Sequence, residues 1–337
     1  VIRAAPLPPV SDIFVQFVER VTAWTMAPLG SVARMALSQP KALLPPPQQK
    51  LFRRSDPPPD GEKLTTARRR VADVLATAGA LTSPELQRES GVSAGVISGM
   101  ERAGSLEALL VDSDRPPPRP GRLQGPALSA DQMAATTSIA AALGKGFVPF
   151  LLDGVTGSGK TEVYFDAVQR VLDAGKQVLI LLPEIALSAG WKARFADRFG
   201  VLPQEWHSDV REGVKRKVWR YALTGDASVI VGARSALFLP FDNLGLIVVD
   251  EEHEHAYKQE DQVIYQARDM AVLRARLEGC PIILASATPS LESWVNAGMV
   301  GDPPRYQRIA LPNRIGKATL PEICLLYTSP SPRDTSS

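Results

Sequence analysis

Eight consecutive residues, Gly154-Val155-Thr156-Gly157-Ser158-Gly159-Lys160-Thr161, occupy every fixed position of the phosphate-binding pattern G-x-x-x-x-G-K-[ST]. The glycines let backbone N–H groups turn inward around a phosphate, and the start of a following helix adds partial positive charge. Lys160 is placed to reach the β- and γ-phosphates, and the Thr161 hydroxyl to ligate Mg²⁺. Ninety positions beyond Lys160, the apolar run Leu246–Val249 ends in Asp250-Glu251-Glu252-His253. A carboxylate at the C-terminal end of a parallel strand faces the sheet edge where ligands bind. Asp250 is therefore expected to hold Mg²⁺ through water, and Glu251 to orient or deprotonate the attacking water. A Gly-rich turn or an acidic loop is commonplace alone. Both together, with strand, loop and helix in order, point to a nucleoside triphosphatase.

Such residues need a scaffold, and the flanking pattern supplies one. Short apolar runs at Phe150–Leu152, Gln177–Leu182, Ser228–Val231, Leu246–Val249 and Ile282–Ala285 read as strands. Between them lie periodic polar segments of helical length, among them Thr161–Ala174, Lys192–Phe199 and Ala267–Glu278. Pro149 is tolerable as a strand's first residue. Repeated β-α-β predicts an α/β fold whose parallel sheet is covered by helices on both faces.

Upstream, Pro-rich stretches at Pro45–Pro47, Pro57–Pro59 and Pro116–Pro120 cannot continue a helix and divide the chain. Residues 1–60 are expected to hold the end of a preceding domain plus a linker. They open with a helix capped by Ser11 and carrying an apolar stripe of Ile13, Phe14, Phe17, Val18, Val21 and Trp24. Residues 61–114 suggest a winged helix. Its helices are Thr65–Thr77, with Val71, Val74 and Leu75 on one face, a second starting at Ser83-Pro84-Glu85, and a third opened by Ser93; Leu106–Val111 forms a wing strand. Residues 115–126 form a linker, 127–323 the nucleotide-binding lobe, and the Ser/Pro/Thr-rich 324–337 a disordered or non-native tail.

Several segments are familiar as a set. GVTGSGKTEVY at Gly154–Tyr164, LPEIAL at Leu182–Leu187, GARSALFLPF at Gly232–Phe241, DEEH at Asp250–His253 and SATPS at Ser286–Ser290 resemble superfamily 2 helicases, and within them the PriA family of replication-restart helicases. The resemblance is dense from Leu128 to Ile323. It implies one RecA-like lobe and ATP-driven 3′→5′ DNA unwinding at stalled forks, with ATP and Mg²⁺ as cofactors. By the same resemblance Gln132 reads adenine, Glu162 belongs to the ATP-binding residues, and Arg234 and Ser235 meet DNA phosphates. An aromatic-rich loop after DEEH, with Tyr257, Lys258, Tyr265 and Arg268, couples DNA contact to hydrolysis, together with His253, Ser286 and Thr288. Aromatic faces stack on unpaired bases without reading sequence; core positions are the lesser alternative for Tyr257 and Tyr265. Gln262 stands where a small residue such as Gly is expected. His207-Ser208 also matches the family, without a catalytic role.

The family pattern continues past Ile323 with a second motor lobe bearing an arginine finger and a Cys-rich zinc module, so Zn²⁺ is expected only there. That end, and a first residue that is Val rather than Met, imply a piece of a longer protein that turns over ATP poorly by itself. DNA, primosome proteins and single-strand-binding proteins are the implied partners. Two alternatives share part of the pattern: another superfamily 2 translocase, which has no need of the aromatic loop, and a lobe that binds nucleotide, DNA or protein without hydrolysis.

Composition narrows the class without choosing within it. The 337 residues are 45% hydrophobic and 22% charged, with net charge +2, too near neutral to indicate nucleic acid by itself. Arg68-Arg69-Arg70 and Lys215-Arg216-Lys217 read as solvated faces. No stretch approaches the ~20 apolar residues of a membrane helix, and no signal peptide opens the chain, so a cytoplasmic location is expected. Two cysteines, Cys280 and Cys324, make neither a metal framework nor a disulfide scaffold.

Overall fold

A computed structural model describes residues 7–57, 59, 65–112, 114, 116–183, 188–300 and 303–315. Glu184–Leu187 of the LPEIAL segment and the tail 324–337 lie outside the described residues. In chain order the elements are α1 (Asp12–Thr25), α2 (Leu29–Ala36), β1 (Gln48–Arg54), α3 (Thr66–Ala78), β2 (Ala80–Thr82), α4 (Ser83–Ser90), α5 (Ala94–Arg102) and β3 (Leu106–Asp112). There follow α6 (Ala130–Ala142), β4 (Pro149–Gly154), α7 (Lys160–Asp173), β5 (Gln177–Leu181), α8 (Ala189–Phe199), β6 (Gln204–Trp206), α9 (Glu212–Thr224) and β7 (Val229–Gly232). The last are β8 (Leu244–Asp250), β9 (Lys258–Gln259), β10 (Tyr265–Gln266), α10 (Ala267–Glu278), β11 (Ile282–Ser286), α11 (Leu291–Asn296) and β12 (Gln307–Leu311).

Contacts divide these into two units, one of 1–119, 204–230 and 238–242, the other of 120–203, 231–237 and 243–337. In the first unit, Ser11 caps α1 by accepting from the Phe14 N–H, and Phe14, Phe17, Val18 and Val21 are buried. The stripe is narrower than its sequence implies, because Ile13 and Trp24 are exposed, the latter 72%. The segment after α2 is bound to α9, an element from the middle of the chain. Trp219 Nε1 donates to Ala36 O at 3.0 Å, and the buried Arg220 donates to Ala42 O and Leu44 O and pairs with Asp114.

In the same unit α3, α4 and α5 pack with a three-stranded sheet of order β2-β1-β3. The stretch before residue 60 is not only linker: β1 pairs antiparallel with β3 from Gln48↔Asp112 to Arg54↔Leu106, and with β2. Phe52 thus joins Val71, Leu75, Leu86, Ile97, Met100 and Leu106 in one apolar core. The cap of α4 is Thr82 rather than Ser83, in a reciprocal capping box with Glu85.

The second unit carries the expected α/β layer. Five of its strands lie side by side in the order β12-β4-β11-β8-β5, and the pairings β12–β4, β4–β11, β11–β8 and β8–β5 are parallel. Every residue of β5, β8 and β11 is buried, as strands covered on both faces require. This is a RecA-like lobe, and its strand order brings distant motifs to one edge.

Candidate active site

Strands β4 and β8 both flank β11, with Asp153 beside Ser286 and Asp250 beside Ala285. The phosphate loop and the acidic motif therefore leave the same sheet edge two strands apart, about 10 Å at ordinary strand spacing. That edge, at the carboxyl ends of parallel strands, is where open α/β sheets bind ligands.

The loop spans the gap between β4 and α7. Gly157 and Gly159 both take φ +81°, a backbone region disfavoured for L side chains. An added Cβ at Gly159 would also run into Gln132 Nε2 and Ile315 Cδ1. Lys160 is buried, and its Nζ donates to Gly154 O at 2.8 Å; a phosphate oxygen is a stronger partner for an ammonium than this neutral carbonyl. Ser158 Oγ is buried without a hydrogen-bond partner, which suits a loop whose polar atoms are meant for a bound anion. Thr156 and Gly157 are exposed, Thr161 and Glu162 half-buried, and Glu162 pairs with Arg194 at 2.8 Å.

Gln132 does something other than offer a free amide to adenine. Its Oε1 accepts the Ser129 N–H at 2.8 Å, closing the capping box of α6, while Nε2 donates to Ser158 O at 2.9 Å. With 2% of its surface exposed, it braces the phosphate loop.

At the acidic end, Asp250 Oδ2 accepts from the Tyr164 hydroxyl at 2.9 Å and Oδ1 from the Glu251 N–H at 3.1 Å. Burial raises the Asp250 carboxyl to about 6, and the Glu251 charge adds to this; the Tyr164 hydrogen bond and the Lys160 charge pull it back. Glu251 is half-exposed and has φ +47°, sparsely populated for a residue with a side chain. His253 Nδ1 lies 2.8 Å from Ser286 Oγ, which also accepts the exposed Thr288's N–H at 3.0 Å. The DEEH and SATPS segments are thereby joined through side chains.

The loop after DEEH departs from the sequence expectation. Tyr257 and Tyr265 are 1% and 6% exposed, so neither offers a ring face to a base. Tyr257 lies in the core with its hydroxyl on the carbonyls of Leu181 and Asp250. Arg268 is 5% exposed and faces acidic partners, Glu252 at 3.3 Å and Asp269 at 2.9 Å, not a phosphate. Glu252, fully buried, also accepts from Ser290 N, Ser290 Oγ and Ser293 Oγ. Ser235, Lys258 and Ile264 do reach the surface, the last 63% exposed, beside the exposed Glu260, Asp261 and Gln262, and Lys258 pairs with Glu260 at 2.6 Å. Arg234 Nη1 donates to Ala256 O at 2.9 Å and Lys258 O at 2.8 Å, so it holds the base of the β9–β10 hairpin. Gln262 has φ +59°, the backbone that favours glycine and explains why a small residue is expected there.

Two residues that sequence reasoning passed over complete the site. Tyr164 lies one helical turn after Lys160, on the same face of α7, a spacing that signals a shared environment. Trp191 Nε1 donates to the Tyr164 hydroxyl at 2.8 Å. Mg²⁺ with nucleotide takes few protein ligands, one carboxylate and one hydroxyl beside phosphate and water oxygens, and Asp250 with Thr161 fits that donor set. Among the described residues no cluster of three or more His, Cys, Asp or Glu is arranged to hold a metal.

The DEAD/DEAH box helicase family matches residues 130–296. The chain is 47% identical over 198 residues to a replication restart protein PriA of Rickettsia felis, covering 59% of this chain and 29% of that protein. The PriA of Bacillus subtilis is 44% identical over 179 residues, 52% of this chain and 22% of its own length. That of Chlamydia muridarum is 39% identical over 231 residues, 66% of this chain and 30% of its length. These matches support a superfamily 2 helicase of PriA type. It spans less than a third of the length of these PriA relatives. Residues 130–296 run from α6 to α11 and so contain the phosphate loop, DEEH and SATPS segments. Among the described residues no helix is long and apolar enough to cross a membrane.

Proposed function

We propose that this chain is the ATP-binding lobe of a replication-restart DNA helicase that unwinds DNA in the 3′→5′ direction at the expense of ATP. The observation that supports it most is the single sheet edge that presents Lys160, Thr161 and Asp250 together, within a chain of PriA type. Lys160 leaves the Gly154 carbonyl for the β- and γ-phosphates, and the glycine loop wraps the phosphates with N–H groups. Thr161 and Asp250 hold the Mg²⁺ that accompanies ATP, and the ion supplies neutralisation of phosphate charge. Glu251, half-exposed at the sharp turn after β8, orients the attacking water and takes up its proton. Gln132 keeps the phosphate loop in register, with its remaining amide N–H and lone pair for adenine.

DNA is the substrate, forked or single-stranded, met by Ser235, Lys258 and the exposed hairpin tip. Arg234 ties that hairpin to the segment after β7, and the His253–Ser286–Thr288 chain carries the signal between motifs. The cytoplasm is the compartment, with primosome and single-strand-binding proteins as partners.

Calorimetry on the 337-residue chain tests the nucleotide site. Mg-ATP should bind, and Lys160→Ala should weaken binding at least tenfold with an unchanged thermal midpoint. In the chain joined to the second lobe of a PriA relative, the same substitution should lower single-strand-stimulated ATPase at least about a hundredfold. Retained turnover with an intact fold would sink the assignment. ATPase indifferent to single-stranded DNA would favour a different superfamily 2 motor.

A further inference from the structure

The Tyr164 hydroxyl stands between Trp191 and Asp250, and the chemistry of the three groups leaves one direction for its hydrogen bonds. An indole N–H only donates, and an ionised carboxylate only accepts. At 2.8 Å from Trp191 Nε1 and 2.9 Å from Asp250 Oδ2, the Tyr164 oxygen must accept from the first, and its single proton goes to the second. Phenylalanine would satisfy the packing at this position, where Tyr164 meets Phe165 edge-on at 5.2 Å. The hydroxyl is an addition that the core does not need, buried completely and spent on one carboxylate.

The other end of the relay is held rigidly. Trp191 stacks on Phe195 at 5.5 Å, and Phe165 packs edge-on against Trp191, Phe195 and Phe199. This aromatic cluster between α7 and α8 fixes the indole, the indole fixes the hydroxyl, and the hydroxyl fixes Oδ2. With the Glu251 N–H on Oδ1, each oxygen of Asp250 carries one donor, so the carboxylate plane is set before any ligand arrives.

We propose that Tyr164 and Trp191 are positioning residues for the cation of the Mg-nucleotide, acting by orienting Asp250. The inference rests on the reading of Asp250 as the carboxylate that holds Mg²⁺, and deepens it by assigning the groups behind it. Partners of this kind behind a ligand side chain characteristically change metal affinity by about 10–100-fold when removed.

The test is calorimetry of a non-hydrolysable ATP analogue on the full 337-residue chain, once with MgCl₂ and once with EDTA. Wild type should bind more tightly with MgCl₂. Tyr164→Phe should raise the Mg-nucleotide Kd about tenfold while the Kd in EDTA changes less than twofold. Trp191→Phe should shift the Mg-nucleotide Kd in the same direction by about threefold, and the double variant should match Tyr164→Phe, since the indole acts only through the hydroxyl. Equal weakening in both buffers, or no change in either, shows that the two rings merely pack and overturns the proposal. Additive effects of the two substitutions overturn the relay as well. If Tyr164→Phe melts at ambient temperature, Trp191→Phe decides alone, and an unchanged metal dependence there is fatal. Wild type binding nucleotide equally with and without MgCl₂ removes the assignment of Asp250 itself, a result distinct from a silent variant.

Discussion

The Tyr257 hydroxyl lies 2.6 Å from the main-chain carbonyl oxygen of Asp250, so the first aromatic after DEEH braces the end of the acidic strand. A longer contact to Leu181 O, at 3.0 Å, ties the same hydroxyl to the neighbouring strand β5. Tyr257→Phe keeps the ring and removes the donor, leaving buried carbonyls short of a partner. It should cost about 1–2 kcal/mol in urea melts and leave single-stranded DNA affinity unchanged. Normal stability with weakened DNA binding would mean the ring works at the surface after all.

Arg268 and Glu252 form a buried pair, 5% and 0% exposed, shared with Ser290 and Ser293. Removing one partner strands the other charge. Arg268→Ala should therefore destabilise the lobe by about 3–5 kcal/mol, a far larger effect than loss of an exposed phosphate contact, which stays within about 0.5 kcal/mol. Denaturant midpoints distinguish the two directly.

The β9–β10 hairpin should respond to two substitutions differently. Arg234→Ala removes both hydrogen bonds at its base, and hydrogen exchange of amides from Ala256 to Gln266 should quicken while the sheet strands stay protected. Ile264→Ser changes an exposed tip, so stability should move by no more than about 0.5 kcal/mol. Its effect should fall on single-stranded DNA, with affinity in anisotropy titrations lowered severalfold. An unaltered affinity would remove the tip from the DNA path.

The raised Asp250 carboxyl makes a prediction about pH. Its folded value of about 6 exceeds the ordinary 3.8, so the folded chain binds this proton more tightly than the unfolded chain. Stability from this group thus grows as pH falls through 6 and is absent above it. The whole effect is about 3 kcal/mol, of which roughly 1.4 kcal/mol lies between pH 7.5 and pH 5. Asp250→Asn abolishes the titration. In metal-free buffer its unfolding free energy relative to wild type should fall by about that amount on acidification from pH 7.5 to pH 5. A constant difference across this range would show that Asp250 titrates as an ordinary surface carboxyl.

What the amino-acid order determined by itself is local. Strand, glycine turn and helix around Lys160 follow one another between Pro149 and Asp173, and the carboxylate after Leu246–Val249 needs only an apolar run to place it at a strand's end. The starts of α3 and α4 were legible for the same reason, since a cap bonds to residues two or three positions away. The tertiary structure decided everything that depends on partners far along the chain. Strand β1, hidden among prolines, exists because Leu106–Asp112 lies beside it, and no neighbour in sequence signals that. Tyr257, Tyr265 and Arg268 have side chains equally suited to a nucleic-acid surface and to a satisfied interior. The carbonyls of Leu181 and Asp250 and the carboxylate of Glu252 draw Tyr257 and Arg268 inside, because a buried polar group is stable only where its hydrogen-bonding partner waits.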